Sequence, residues 1–422
     1  MYGDFSMTNR GETSADFRVG SRCLTTRVGR NLLLSAGAAI IALAFSSAPS
    51  QADQWFLQAR GSVSGAYDDN MRLTDKNEKE ALGVIVRPEL DVHGRGQNWD
   101  LNLTNFAAFE RYDDSDFDSD NFGINLDSVY RTQLQEFGLD GLVSRETTLA
   151  TEQFDTGDLA DKGIKYTYVA APYWKYQFTE RQSIRLGANV TIADYTKTNR
   201  FDDYQTYGGG IRWGYQLTEQ DEVTTSFIYS HNNSDDDENS KSDFYGVGLG
   251  WRREVSDRLD WFFEAGPRYF DSEQDRINGA NQKETDHDSS FGYFLNSELR
   301  YKVSELTDVS FKAERAVLGS GGGGATQRNR LRLNANYRFQ PRWRASLTSG
   351  FTLNQDPNDD NDQRDRNFFT ISPRIAYDLT PDWSIWSSYR FRTDNEKGSD
   401  RAYSNGVFVG VTYSAPQWTF AN

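Results

Sequence analysis

Apolar and polar residues alternate along most of this chain with a period of two. That is the spacing at which successive side chains of a β-strand point to opposite faces. The clearest stretch is 328–353. Leu331, Leu333, Ala335, Tyr337 and Phe339 fall on one face, and Arg328, Arg330, Arg332, Asn334, Asn336 and Arg338 on the other. After a break at Gln340-Pro341 the alternation resumes, with Trp343, Ala345, Leu347, Phe351 and Leu353 set against Arg342, Arg344, Ser346, Thr348 and Asn354. The pattern predicts a β-hairpin with one apolar and one hydrophilic face. Each arm keeps its alternation for about ten residues, the length of a tilted strand that crosses a bilayer.

The same pattern predicts strands over 55–67, 81–93, 99–112, 121–133, 138–151, 162–178, 182–197, 204–217 and 222–232. It predicts more over 242–255, 259–272, 289–303, 309–318, the two arms of the hairpin, 366–379, 383–393 and 402–413. Pro88 falls inside the second of these, where a missing N–H predicts a local bulge. The connections are of two kinds. Some are tight, such as Thr179-Glu180-Arg181, Ser256-Asp257-Arg258 and Thr380-Pro381-Asp382; the others are long and acidic, as at 113–120, 234–238, 271–275 and 356–365. The expectation is an all-β fold: a transmembrane antiparallel up-and-down β-barrel of about 18 strands, with short periplasmic turns and long acidic outer loops. A forty-residue repeat also fits propeller blades, but a blade folds four short strands into that period, and here two long ones fill it. Trp55, Trp99, Trp174, Trp213, Trp251, Trp261, Trp343 and Trp383 share the apolar parity and the tight-turn ends of their strands, which predicts an interfacial girdle.

Composition sharpens this picture. Aromatic residues make up 14% of 422 residues in a chain rich in charge, as expected where one strand face is greasy and the lumen and loops are polar. Arg22, Arg27 and Arg30 precede the apolar run 32–45, and Ser50-Gln51-Ala52 offers a cleavage site. Residues 1–52 therefore read as an N-terminal extension with a cleaved secretory signal, and 53–422 as the outer-membrane barrel. Cleavage would remove five basic and three acidic residues, taking the net charge from −16 to −18, together with Cys23, the single cysteine. No later run is long and apolar enough for a transmembrane helix. An exported chain of long alternating strands points to the Gram-negative outer membrane.

Candidate chemistry is concentrated on the lumen parity of the last strands. Arg328, Arg330, Arg332, Arg338, Arg342, Arg344, Arg366, Arg374, Arg390 and Arg392 all fall opposite the apolar face, with Asp378 as the only acid of that parity within the predicted strands. Neighbouring strands lie about 4.8 Å apart, so these form one basic wall, suited to carboxylates or phosphates. Lumen acids such as Glu89, Asp91, Asp260, Glu264 and Glu298 are available to pair with part of it. Gly319–Gly324, GSGGGG, is either a mobile flap above this wall or a plain surface loop. In the loop 356–367, Asp356, Asn358 and Asp360 take positions one, three and five of a calcium loop, but the turn glycine and closing glutamate are missing. Weak divalent binding at the outer loops, bridging lipopolysaccharide phosphates, is the remaining cation expectation; no other cofactor is expected. Of the three histidines, His231 and His287 lie at loop edges and His93 at a turn, without a triad pattern. No catalytic residue is assigned, and no enzyme activity is expected.

Two motifs carry a resemblance. Tyr67-Asp68-Asp69-Asn70, followed by Met71-Arg72-Leu73-Thr74 and then Val86-Arg87-Pro88-Glu89-Leu90, resembles the opening of outer-membrane β-barrel porins associated with exopolysaccharide systems. The resemblance implies help in passing secreted polysaccharide. Ser404-x-Gly406-x-x-Val409-x-Val411 resembles the signal that the barrel-assembly machinery reads on a last strand, although here residues 414–422 run on beyond it. The expected function is a porin-like channel for an anionic saccharide or exopolysaccharide. A structural or adhesion barrel with cation-binding acidic loops comes second and an outer-membrane hydrolase third. The expected partners are outer-membrane lipid and lipopolysaccharide, the assembly machinery and the saccharide; nucleic acid is not among them.

Overall fold

The computed structural model describes residues 54–421 apart from 153–154, 157–158, 160, 237–238, 278–282 and 359–364. The predicted leader, Cys23 and Asp360 lie outside the described residues. The first nine strands are β1 (Gln54–Asp68), β2 (Ala81–Arg95), β3 (Trp99–Tyr112), β4 (Ser119–Arg131), β5 (Gln135–Thr147), β6 (Ile164–Thr179), β7 (Gln182–Thr196), β8 (Tyr204–Gln216) and β9 (Asp221–Ser234). Then come β10 (Lys241–Ser256), β11 (Leu259–Ile277), β12 (Lys283–Ser304), β13 (Thr307–Gly319), β14 (Ala325–Gln340), β15 (Trp343–Gln355), β16 (Arg366–Asp378), β17 (Trp383–Glu396) and β18 (Ala402–Ser414). A short β19 (Trp418–Ala421) continues β18 after Ala415-Pro416-Gln417.

Each strand pairs antiparallel with the next, and β1 closes the ring. It pairs with β2 on one side; on the other it pairs with β18 from Arg60↔Ser414 to Asp68↔Gly406 and with β19 from Gln54↔Ala421 to Leu57↔Trp418. The result is a closed antiparallel barrel of eighteen strands in which β18 and β19 form one interrupted closing strand. The C-terminal run-on is thus part of the wall. Ala415 still donates to Ala59 O at 2.9 Å, so only Pro416, which has no N–H, and its neighbour Gln417 break the ladder.

Apolar side chains of one parity face outward, as the alternation requires: Leu82 is 60% exposed and Leu249 66%. The eight tryptophans named above sit at the tight-turn ends, where ring centres lie 5.4 Å apart for Trp55 and Trp99, 5.5 Å for the edge-on pair Trp251 and Trp261, and 4.8 Å for Trp343 and Tyr377. Three expectations need correction. Pro88 makes no bulge: Val86 pairs with Phe109 and Glu89 with Phe106, so the register is the same on both sides and the ladder merely lapses. The acidic stretch 271–275 is not a loop. It extends β11, paired with β12 out to Ile277↔Lys283. β17 runs on to Glu396 and adds Asp394 and Glu396 to the lumen parity.

The wall parts at one place. β12 pairs with β13 only from Ser304↔Thr307 to Leu295↔Arg315, although both strands continue. Beyond Arg315 the β13–β14 hairpin leans into the barrel. Val317, whose parity would face lipid, is 4% exposed and packs with Phe244, Phe270 and Phe294, all from the lumen side of β10–β12. The glycine-rich tip reaches the far wall: Asp202 N donates to Gly321 O at 2.9 Å, and Gly319 abuts Tyr204, Thr206 and Asn232. The stretch Gly319–Gly324 is therefore a packed insertion into the lumen and not a plain surface loop. On the vacated edge of β12, Phe291 is 84% and Tyr293 54% exposed.

Candidate functional site

The lumen is filled unevenly. At its outer end three segments fold inward. The first joins β5 to β6 and starts with a single helical turn, Thr148–Thr151. Glu152 is fully buried there, 3.1 Å from Lys165 Nζ, and accepts Tyr195 OH at 2.8 Å. Asp155 pairs with the same lysine and with Arg328 at 3.2 Å, and its carbonyl accepts Asn354 Nδ2 at 2.7 Å. Leu159 packs against Leu73, Phe368 and Ala402. The segment therefore leaves one wall and is held by β14, β15 and β16 on another. Burial alone would push the Asp155 carboxyl up, but Lys165 and Arg328 outweigh it and hold the group well below the usual carboxylate range.

The second segment is the β13–β14 hairpin. The third is Pro357-Asn358: Pro357 O accepts Ser290 Oγ at 2.8 Å, and Asn358 Nδ2 donates to Ser272 Oγ at 3.1 Å. Asn358 N in turn donates to Asp356 Oδ1 at 3.0 Å, so both described members of the candidate calcium loop are engaged in a turn that faces inward. Among the described residues no group of three metal-ligating side chains occurs. The acidic loop 113–120 is pinned by cations: Lys79 lies 3.3 Å from Asp114 and Arg111 2.6 Å from Asp120.

Nine of the ten arginines lie on strands at the lumen parity, Arg342 sits in the turn between β14 and β15, and several have acids as partners. Arg390 and Arg392 share Asp68 at 2.9 and 3.0 Å, and Arg392 also donates to Ser404 Oγ and to the Asn70 carbonyl. Arg366 grips Asp394 with two prongs, at 2.9 and 2.7 Å, and reaches Glu396 at 3.8 Å. Arg344 pairs with Asp378. The carboxylates seen to pair with them include Asp68, Asp155, Asp378, Asp394 and Glu396. Four of the five acids considered from sequence are engaged elsewhere: Glu89 and Asp91 with Arg60, Glu264 with Arg212 and Glu298 with Arg300. Arg342 is exposed in the β14–β15 turn, and Arg338 lies near the end of β14. Arg330 and Arg332 line a small cavity with Thr352 and Phe368. The Arg374 guanidinium lies over the Trp386 ring, 4.0 Å from its centre. Among the described residues no carboxylate pairs with Arg332 or Arg374.

Alternating guanidinium and aromatic faces recur around the wall. Arg185 covers Tyr173 at 3.8 Å, Arg390 covers Phe408 at 4.8 Å and Arg252 lies 5.5 Å from Phe262. All are on lumen parities. Trp386 was legible as the one late tryptophan on the wrong parity for the girdle. The Tyr67–Asn70 motif has a structural role as well. Asp68 and Asn70 staple the end of β1 to β17 and β18, with Asn70 Nδ2 on Tyr403 O at 2.9 Å and Ser404 Oγ on Asp68 Oδ1 at 2.7 Å. The histidines have acidic neighbours, His93 with Asp100 at 3.3 Å and His231 with Asp243 at 3.0 Å.

Residues 176–339 match the family described as outer membrane protein beta-barrel domain, a stretch of under half the chain. No curated protein matches it by sequence. Among solved structures it is similar to the ferric citrate transporter FecA in the unliganded form, with 13% identity and a TM-score of 0.42 over 83% of this chain and 61% of that one. The chain thus spans less than two thirds of that transporter's length. Similarity to OccK5 (OpdH) of Pseudomonas aeruginosa is 14% identity and a TM-score of 0.39, over 85% and 98% of the two chains. For the siderophore receptor PirA of Pseudomonas aeruginosa the values are 11% and 0.40, over 88% and 81%. The closed barrel with its lipid-facing apolar band and the family match together place the protein in the bacterial outer membrane.

Proposed function

We propose that this barrel is a gated, anion-preferring channel that passes an acidic saccharide. The observation that carries the reading is the basic lumen arc of β14–β17, in which Arg332 and Arg374 keep their charge without a carboxylate partner among the described residues. A fixed positive charge in a narrow polar pore lowers the barrier for anions and raises it for cations. The stacked pairs Arg374–Trp386 and Arg390–Phe408 add flat apolar faces beside two-pronged donors, a combination that suits sugar rings bearing carboxylates. The inserted hairpin and the β5–β6 segment are the parts that must move for a chain to pass.

The test is conduction in a planar bilayer. The wild type should prefer anions, and the preference should fall as salt rises, because screening acts within about 10 Å at 0.1 M. Exchanging Arg332 and Arg374 for Gln should reduce both that preference and the block by acidic oligosaccharides. The filled outer mouth favours a second reading, a plugged structural barrel. A trace that stays closed even after the hairpin tip is shortened would sustain that reading, and cation preference in an open channel would end the anionic-saccharide assignment.

A further inference from the structure

Among the described residues four cationic side chains are deeply buried: Lys165, Arg268, Arg328 and Arg392. Three have carboxylates, namely Glu152 and Asp155 for Lys165, Asp155 for Arg328 and Asp68 for Arg392. Arg268, on the lumen face of β11 and 4% exposed, has none among the described residues. Its Nη2 donates to two neutral oxygens, Gln327 Oε1 and Pro357 O, while Nε and Nη1 have no hydrogen-bond partner. A buried charge without a counter-charge, and with donors unmet, is strongly unfavourable. Such an arrangement is expected where the missing partner is not part of the chain.

The surroundings fit an anion. Gly292 lies beneath the guanidinium, and a Cβ there would sit 2.7 Å from Nε. Arg315 stands on β13 where its pairing with β12 ends, near enough for its charge to repel that of Arg268. Its guanidinium lies 4.3 Å from the Tyr293 ring centre, donates from Nη1 to Asn329 Oδ1 at 2.7 Å and leaves Nε unmet. Both oxygens on Arg268 Nη2 come from inserted segments, the hairpin and the β15–β16 connection. They occupy the place that the oxygens of an oxyanion would take.

We propose that Arg268 and Arg315 form an oxyanion-binding site at the β12–β13 seam, for a carboxylate or phosphate group that replaces Gln327 on the buried guanidinium. The channel reading bears only on where the ligand comes from: a soluble acidic sugar through the lumen, or a lipid phosphate through the seam. Binding itself is measurable on a barrel that never opens, so a closed bilayer trace would sink the channel and leave this site standing.

The experiment follows thermal unfolding and titration calorimetry of the whole barrel in neutral detergent at fixed ionic strength. The probes are trigalacturonate, inorganic phosphate and neutral maltotriose, with a further arm in phosphatidylglycerol against phosphatidylcholine bilayers. An anion should raise the melting temperature where maltotriose does not. A shift with the soluble anions assigns the site to the lumen, and a shift confined to phosphatidylglycerol assigns it to the lipid. Arg268→Gln should weaken binding at least about tenfold, roughly 1.4 kcal/mol. Gln327→Glu places a carboxylate on the guanidinium, so it should raise the melting temperature and abolish the response to added anion. Should Arg268→Gln fail to fold, Arg315→Gln and Gln327→Glu carry the test. The site is overturned if no anion shifts the wild type and Gln327→Glu does not stabilise it, or if Arg268→Gln binds as tightly as the wild type.

Discussion

Asp68 stands between two guanidinium groups, a hydroxyl and a backbone N–H, and all four donors belong to the closure of the ring: Arg390, Arg392, Ser404 and its own Asn70. Removing that carboxylate would take from the buried Arg392 the counter-charge that it shares with Arg390. Asp68→Ala is therefore expected to cost about 3–5 kcal/mol in unfolding from lipid vesicles by urea. A loss below about 1 kcal/mol would mean that the staple is solvated. The four-residue motif was visible in the sequence as a marker, but its use was not, because the partners lie over 300 positions away. Asp394 is hidden for a different reason: the alternation fades at Thr393, where the predicted strand ends, one residue short of it. Asp155 supports a pH prediction. Its pKa lies below the unfolded value of about 3.9. The stability it lends the β5–β6 segment is thus fully present above that value and is lost as pH falls through the depressed folded pKa. Protease resistance of that segment should be unchanged between pH 8 and pH 5; release near pH 6 would rule out this latch.

At the scale of the strand, alternation decides which substitutions the membrane tolerates. Ile385 is exposed on the lipid face of β17, and Ser388 pairs across the lumen side with Arg374. Lysine at Ile385 should cost about 2–4 kcal/mol near midplane and block assembly, whereas lysine at Ser388 should leave heat-modifiable migration intact. Equal behaviour at the two positions would refute the parity. The β13–β14 hairpin is where the same reasoning fails for a physical reason. Val317 and Gln327 carry lipid-facing parity, yet both are buried, because the hairpin bends inward beyond Arg315 and tertiary packing overrides the period. Glycine makes that approach possible: a Cβ on Gly321 would collide with the Tyr195 hydroxyl. Gly321→Leu should therefore push the tip out of the lumen and raise single-channel open probability. Gly61→Leu, on a position with open space around it, serves as a neutral control. A closed Gly321→Leu channel would show that the tip is not the obstruction.

Across the whole molecule, strand number, tight-turn positions and the apolar band were legible because each follows from local periodicity. The filling of the lumen was not, because it depends on which loop side chains meet across the ring. That filling is one-sided. Near the outer end Arg328, Gln327, Arg392 and Phe368 are buried, while toward the tight turns Arg344 and Arg374 stay exposed and Trp386 half-buried. The tight turns face the periplasm in barrels of this kind. An acidic oligosaccharide arriving from the periplasmic side thus meets the stacked Arg374–Trp386 pair directly, whereas one arriving from outside meets the hairpin and the β5–β6 segment first. With the protein inserted in one orientation, trigalacturonate added to the tight-turn side should block current at lower concentration than the same sugar on the loop side. The difference should shrink in Gly321→Leu, where the outer obstruction is loosened, and the tight-turn-side block should weaken in Trp386→Ala, which removes the flat face while leaving the charge. Symmetric block in the wild type would mean that the outer segments are displaced in the membrane, and the gate would have to be sought elsewhere in the lumen.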